Sequence, residues 1–145
     1  MRKTLATALY DDRLILCVHG KLPPTDREWE DVLWLVKDAA DRHGHIRGIV
    51  VTQGGRPSSA QRARSVDPAK APVSTPGTIA FVTESALVRG VLTAYEWITP
   101  KRYKGVWESR AYHPRDLRKA VQWLGLENQY KEIWEEIQRV TRELL

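Results

Sequence analysis

The stretch from Thr52 to Arg64, TQGGRPSSAQRAR, gathers the residues best suited to chemistry. Gly54 and Gly55 allow a backbone to approach a ligand closely. Ser58 and Ser59 stand where a helix begins, and Arg56, Arg62 and Arg64 can form fork-shaped hydrogen bonds to a phosphate or carboxylate. Free N–H groups and the positive end of a helix dipole favour an anion at such a place. Three chemistries follow: an anion cradle, a phosphoacceptor at Ser58 or Ser59, or a turn whose serine caps a helix while the arginines face water. The Lys-Ser/Thr pair of a phosphate-binding Walker loop is missing. The candidate ligand- or partner-binding residues are Gly54, Gly55, Arg56, Ser58, Ser59 and Arg62.

Other pairs deserve the same weighing. Cys17 and His19 lie two apart on a strand-like run and share a face, so a nucleophile and base are conceivable. Neither an orienting third group nor an oxyanion loop accompanies them, and a buried cysteine packing as a small hydrophobe is the stronger account. A hydrolase using Ser58 or Ser59 lacks a base nearby in sequence. His43 and His45 flank Gly44 without a cysteine or carboxylate cluster at ligand spacing, so no metal site is expected. Asp11-Asp12 is explained as a turn. No catalytic residues and no cofactor are therefore assigned.

The elements that must carry these residues can be read from pattern. LATALY and LILCVH, separated by Asp11-Asp12, form a hairpin. After Pro23-Pro24, Thr25 and Glu28 make a capping box for a helix with Trp29, Val32, Leu33, Val36 and Ala40 on one face, closed by Gly44. IRGIVVT and TIAFVTE are apolar runs of the kind found in buried parallel strands. Between them come a short helix from about Ser58 to Ser65 and an exposed connection, VDPAKAPVSTPG. Ser85 caps a further helix with Leu87, Val88, Val91, Leu92, Tyr95 and Ile98 on its face. YKGVWESRAY is a weaker strand, and a helix with Leu117, Ala120, Val121 and Leu124 follows Pro114 and ends at Gly125. Strands alternating with helices argue for one α/β domain with a mixed, mostly parallel sheet. A last helix carries a stripe of Tyr130, Ile133, Trp134, Ile137, Val140, Thr141 and Leu144. It either docks on its own domain or pairs with a second copy in a homodimer.

With that order, the chain resembles the STAS family, named for sulphate transporters and anti-sigma-factor antagonists. LILCVHGKLPPT is similar to the family's second strand, which ends in Gly-x-Leu before a long helix. IVVTQGGRPSSAQRAR stands where the family has a buried strand running into Asp-Ser-Ser/Thr-Gly at a helix N-terminus. Pro57, Ser58, Ser59 and Ala60 occupy those four positions, so the acid and the glycine are replaced. The resemblance implies a STAS-like domain over residues 1–126, with an additional amphipathic helix over 127–145. It also implies a non-enzymatic module that binds a partner protein through Gly54–Arg64, with Ser58 at the phosphoacceptor position. The alternative is a phosphate-bearing nucleotide or anion held at the same helix N-terminus.

Bulk properties bound these readings. At 145 residues the chain is long enough for one core without staples. One cysteine excludes an internal disulfide and fits a reducing compartment, so a cytoplasmic protein is expected. No membrane-spanning run is present in the sequence. Between Lys101 and Lys119 seven basic residues face two acidic ones, an excess equal to the whole net charge of +5. Tyr103, Trp107 and Tyr112 are interleaved there, but no recognised nucleic-acid motif accompanies them, which argues against nucleic acid as the partner.

Overall fold

In the computed structural model, which describes residues 3–65, 75–90 and 107–144, strands β1 (Leu5–Tyr10) and β2 (Leu14–His19) pair antiparallel, with Leu5 opposite His19. Asp11 and Asp12 both take positive φ, 51° and 57°, and Arg13 N donates to Tyr10 O at 3.1 Å. That mirror-image turn has the twist a hairpin needs, and aspartate is among the few residues that tolerate it.

Helix α1 (Asp26–His43) begins with the expected capping box at Thr25 and Glu28 and ends on Gly44 at φ 67°. Its last turn is tied back to the hairpin turn. Arg42 Nη1 lies 2.6 Å from Asp12 Oδ1, and His43 Nε2 lies 2.8 Å from Asp12 O. Strand β3 (Ile46–Thr52), helix α2 (Ser59–Ser65) and strand β4 (Gly77–Val82) follow. Residues 86–90 are helical (α3), and Ser85 Oγ accepts from Val88 N at 3.1 Å. Strand β5 (Trp107–Tyr112) precedes a 3-10 turn at Pro114–Asp116, helix α4 (Leu117–Trp123), a second 3-10 turn at Glu127–Gln129 and helix α5 (Tyr130–Thr141). The expected connection at 66–74, the helix face beyond Gly90 and the start of the YKGVWESRAY run lie outside the described residues.

The sheet is a single layer in the order β1-β2-β3-β4-β5, parallel from β2 onward. Strands laid down in consecutive order by right-handed crossovers place their connecting helices on one face. Accordingly α1 packs on one side, with Ala39 and Ala40 against Ile15 and Ile46, and Val32 against Leu5 and Cys17. The connections alone would leave the opposite side bare. Yet all six residues of β2 are buried, so both faces are covered. The cover on the second face is α4 and α5: Leu117, Ala120, Val121, Ile133 and Ile137 pack on Leu14, Leu16, Ile49, Ala80 and Val82. Val140 and Leu144 continue that cover over Ala6 and Val18.

The terminal stripe thus faces the sheet of its own chain, with Ile133, Ile137, Val140 and Leu144 buried. Trp134, placed on the stripe by spacing, stands at its margin and is 45% exposed. Leu87, expected on a buried helix face, is 78% exposed, and Trp34 is 68% exposed on the outer side of α1. Among the described residues, no helix is long and apolar enough to cross a membrane.

Candidate functional site

The loop after β3 lies at the carboxyl end of the parallel strands, the side of open α/β sheets where ligands commonly bind. It is built chiefly by contacts within the chain. Gln53 N donates to His19 O at 3.0 Å and Gly55 N to Gly20 O at 2.8 Å. Gly54 N donates to Thr52 Oγ1 at 3.0 Å, and Thr52 Oγ1 donates to Gly55 O at 2.6 Å. Gly54 has φ 128°, a region that strains side-chain-bearing residues. Gly55 brings the backbone close to the chain itself. A Cβ on Gly55 would sit 2.6 Å from Gly20 O and closer still to Leu22 O.

Ser58 is the N-cap of α2. Its Oγ accepts from Gln61 N at 3.1 Å, and Gln61 Oε1 accepts from Ser58 N at 2.9 Å. This is a reciprocal capping box, and Ser-x-x-Gln carries its signature in sequence. Gln61 is the residue that sequence reasoning missed. It is 4% exposed, and its Nε2 donates to Pro24 O and to Asp26 Oδ1, both at 3.0 Å. Its backbone carbonyl accepts from Trp29 Nε1 at 2.8 Å. One glutamine therefore caps α2 and fastens it to the start of α1.

The arginines divide. Arg62 Nη1 donates to Pro57 O and its Nη2 to Ser59 Oγ, both at 3.1 Å, while Arg64 pairs with Glu30 on α1 at 2.8 Å. Arg56 is exposed and has no hydrogen-bond or ion-pair partner among the described residues. Ser59 and Ala60 are also exposed, and Leu22, beside Gly55, is 54% exposed. The amides of Gln53, Gly54, Gly55, Ser58 and Gln61 already have acceptors, and Pro57 has none to offer. The loop turns outward the side chains of Arg56, Ser59 and Ala60.

Beneath it, Cys17 Sγ lies 3.7 Å from His19 Nε2, both buried. Burial pushes the Cys17 thiol up to about 12. Burial also draws His19 down to about 4, with Glu28 pulling weakly the other way. A nucleophilic pair needs a thiolate and a base that titrates near neutrality, and both groups are shifted away from that. His19 Nδ1 is a buried polar atom with no hydrogen-bond partner among the described residues. The His19 ring lies 6.4 Å from that of Trp29.

Glu28 has a second role that its capping-box position did not announce. Its carboxylate accepts from Thr25 N at 2.8 Å, from Thr4 N at 3.0 Å and from Leu5 N at 3.1 Å, and also from Thr4 Oγ1. Burial by itself raises its pKa. The bonds from Thr4, Thr25 and Leu5 outweigh that and bring it to about 2.

These two groups give acid sensitivity in separate windows. A histidine held near 4 in the fold, against 6.5 unfolded, takes up its proton more readily when unfolded, so stability falls as pH drops from about 6.5 to about 4. Glu28 contributes stability above about 4.5 that is lost as pH falls toward 2. Urea unfolding across pH should therefore show His19→Phe flattening the slope between neutrality and about 4.5 while keeping the steeper fall below it. An unchanged slope in the upper window would remove His19 as its source.

His43 and His45 are accounted for without metal: His43 meets Asp12, and His45 Nε2 lies 3.4 Å from Thr78 Oγ1. Among the described residues, no group of three histidine, cysteine or acidic side chains could hold a metal ion. A cavity of 360 Å³ opens at the other end of the sheet, lined by Tyr10, Asp11 and Arg13 of the hairpin together with Arg47, Leu126 and Gln129. No residue of the Gly54–Arg64 loop lines it. No family model matches the chain, and neither any curated protein nor any solved structure matches it. The chain is thus a five-stranded, mostly parallel α/β domain with interleaved helices, and one antiparallel hairpin at its edge.

Proposed function

We propose that this is a non-enzymatic, STAS-like regulatory module that binds a partner protein through the Gly54–Arg64 loop and helix. One observation carries the reading: Arg56, Ser59, Ala60 and the neighbouring Leu22 face outward, while the amides of Gln53, Gly54, Gly55, Ser58 and Gln61 are taken up by the chain itself. A phosphate cradle works through free backbone N–H groups. A protein interface works through an apolar anchor with charged residues at its rim. The hairpin, the consecutive parallel strands and a serine-bearing loop after β3 support the family likeness, with Pro57 and Ala60 as departures. Ser58 Oγ caps its helix and Ser59 Oγ accepts from Arg62 Nη2, and both serines are exposed, with Ser58 at the family's phosphoacceptor position.

The test compares the wild-type chain with Arg56→Glu/Ala60→Arg, both immobilised and exposed to lysate of the native organism, with retained proteins identified and then re-bound in purified form. A protein held by the wild type and lost from an equally stable variant supports the module. Equal retention by both, with a nucleotide or inorganic phosphate raising the melting temperature of the wild type alone, would favour the small-ligand reading.

A further inference from the structure

Away from that loop, on the sheet face opposite α1, β5 and α4 present a basic surface. Arg110, Arg115, Arg118 and Lys119 are all exposed. Arg110 Cζ lies 5.0 Å from the ring centroid of Trp123, and Arg118 Cζ lies 4.3 Å from that of Tyr130. Trp123 in turn lies 6.5 Å from Tyr112, so its ring is held in a packed aromatic pair. A guanidinium held over a ring face is restrained there and keeps N–H donors free for an oxyanion. Arg110, Arg115 and Arg118 have no carboxylate partner among the described residues. Asp116 approaches only Lys119, at 3.8 Å, and Glu108 is the other acid nearby in sequence.

We infer that this β5–α4 surface is a second docking site, and that it takes a short acidic protein segment. Nucleic acid offers the same sign of charge but fits less well. On this side of the sheet the faces of Trp123 and Tyr130 already carry arginines and Tyr112 is packed against the core, while Trp107, 37% exposed, stands by strand alternation on the other face from Arg110. The basic helix is short, seven residues or about 10 Å. Beyond it Glu127 of the 3-10 turn and Glu132 and Glu135 of α5 are exposed nearby in sequence, and they oppose a phosphate backbone continuing in that direction. A segment of a few alternating carboxylates can be satisfied within that span by forked, charge-assisted bonds.

The experiment uses the full chain and two fluorescent probes: a short peptide of alternating glutamate and alanine, and a short single-stranded DNA oligonucleotide of matched charge. Anisotropy is read at low and at physiological salt. The wild type should bind the peptide more tightly than the DNA. Arg115→Glu/Lys119→Glu, which leaves both stacked arginines in place, should weaken the peptide by roughly tenfold or more. Arg110→Gln/Arg118→Gln should weaken it comparably, and Arg27→Glu on the far face should leave it unchanged. A peptide that the wild type does not bind would overturn the proposal. So would equal affinity in the first variant, equal loss in Arg27→Glu, or tighter binding of the DNA.

Discussion

A chain ending at Gly125 should fail to form a cooperatively folded sheet. The truncation removes Ile133, Ile137, Val140 and Leu144, which are 0%, 4%, 0% and 5% exposed. Burial of such side chains contributes roughly 1.5–3 kcal/mol each, about 6–12 kcal/mol for the four. Net stabilities of small domains are about 5–15 kcal/mol, so the loss is comparable to the whole. The truncation also bares Leu14, Leu16, Ala6 and Val18, because α5 lies on the face that no crossover helix covers. Circular dichroism during urea titration checks this. A sigmoidal transition with a near-native midpoint in the truncated chain would show that α4 alone completes the second layer.

Gly55→Val should destabilise the fold by about 3 kcal/mol or more. The atoms that a new Cβ would meet, Gly20 O at 2.6 Å and the nearer Leu22 O, are backbone and cannot rotate aside. Overpacking of this kind typically costs ~1–3 kcal/mol even where side chains can yield. Relief would require breaking the Gly55 N to Gly20 O bond, which joins the β3 loop to the β2–α1 connection. Gly54→Ala makes a useful comparison, since nothing lies within 4 Å of its Cβ and only its φ of 128° is strained. If Gly55→Val melts with the wild type, the loop does not rest on Gly20 and Leu22 in solution.

Much of this architecture was legible. Asp11-Asp12, Thr25 with Glu28, and Gly44 each carry local chemistry that permits few alternatives, and each stands where its residue type predicts. The runs LILCVH and IRGIVVT announced burial on two faces, but a continuous apolar run does not say which element supplies the second cover. That depends on strand order, which made α5 necessary. The glycine pair signalled a close approach without naming what is approached; at Gly55 the chain approached is Gly20 and Leu22, thirty-odd residues earlier. Gln61 stayed hidden because a glutamine between arginines looks like a solvated surface. Only tertiary contact with Pro24 and Asp26 makes it a buried fastener. β5 reads weakly because its residues are mostly exposed or half-buried in a strand at the end of the sheet.

The placement of α5 also has a consequence in time. On the ribosome the hairpin of β1 and β2 is made well before the helix that shields one of its faces. Lys3 N meets Glu143 O at 3.1 Å, so the two ends of the described chain close on each other. Contacts this distant in sequence form late and slow the search for the native state. Until α5 is made the sheet carries Ala6, Leu14, Leu16 and Val18 without that cover, an apolar surface prone to non-native contacts. The sheet can close only once α5 is available, and a chain interrupted before that helix still exposes this surface.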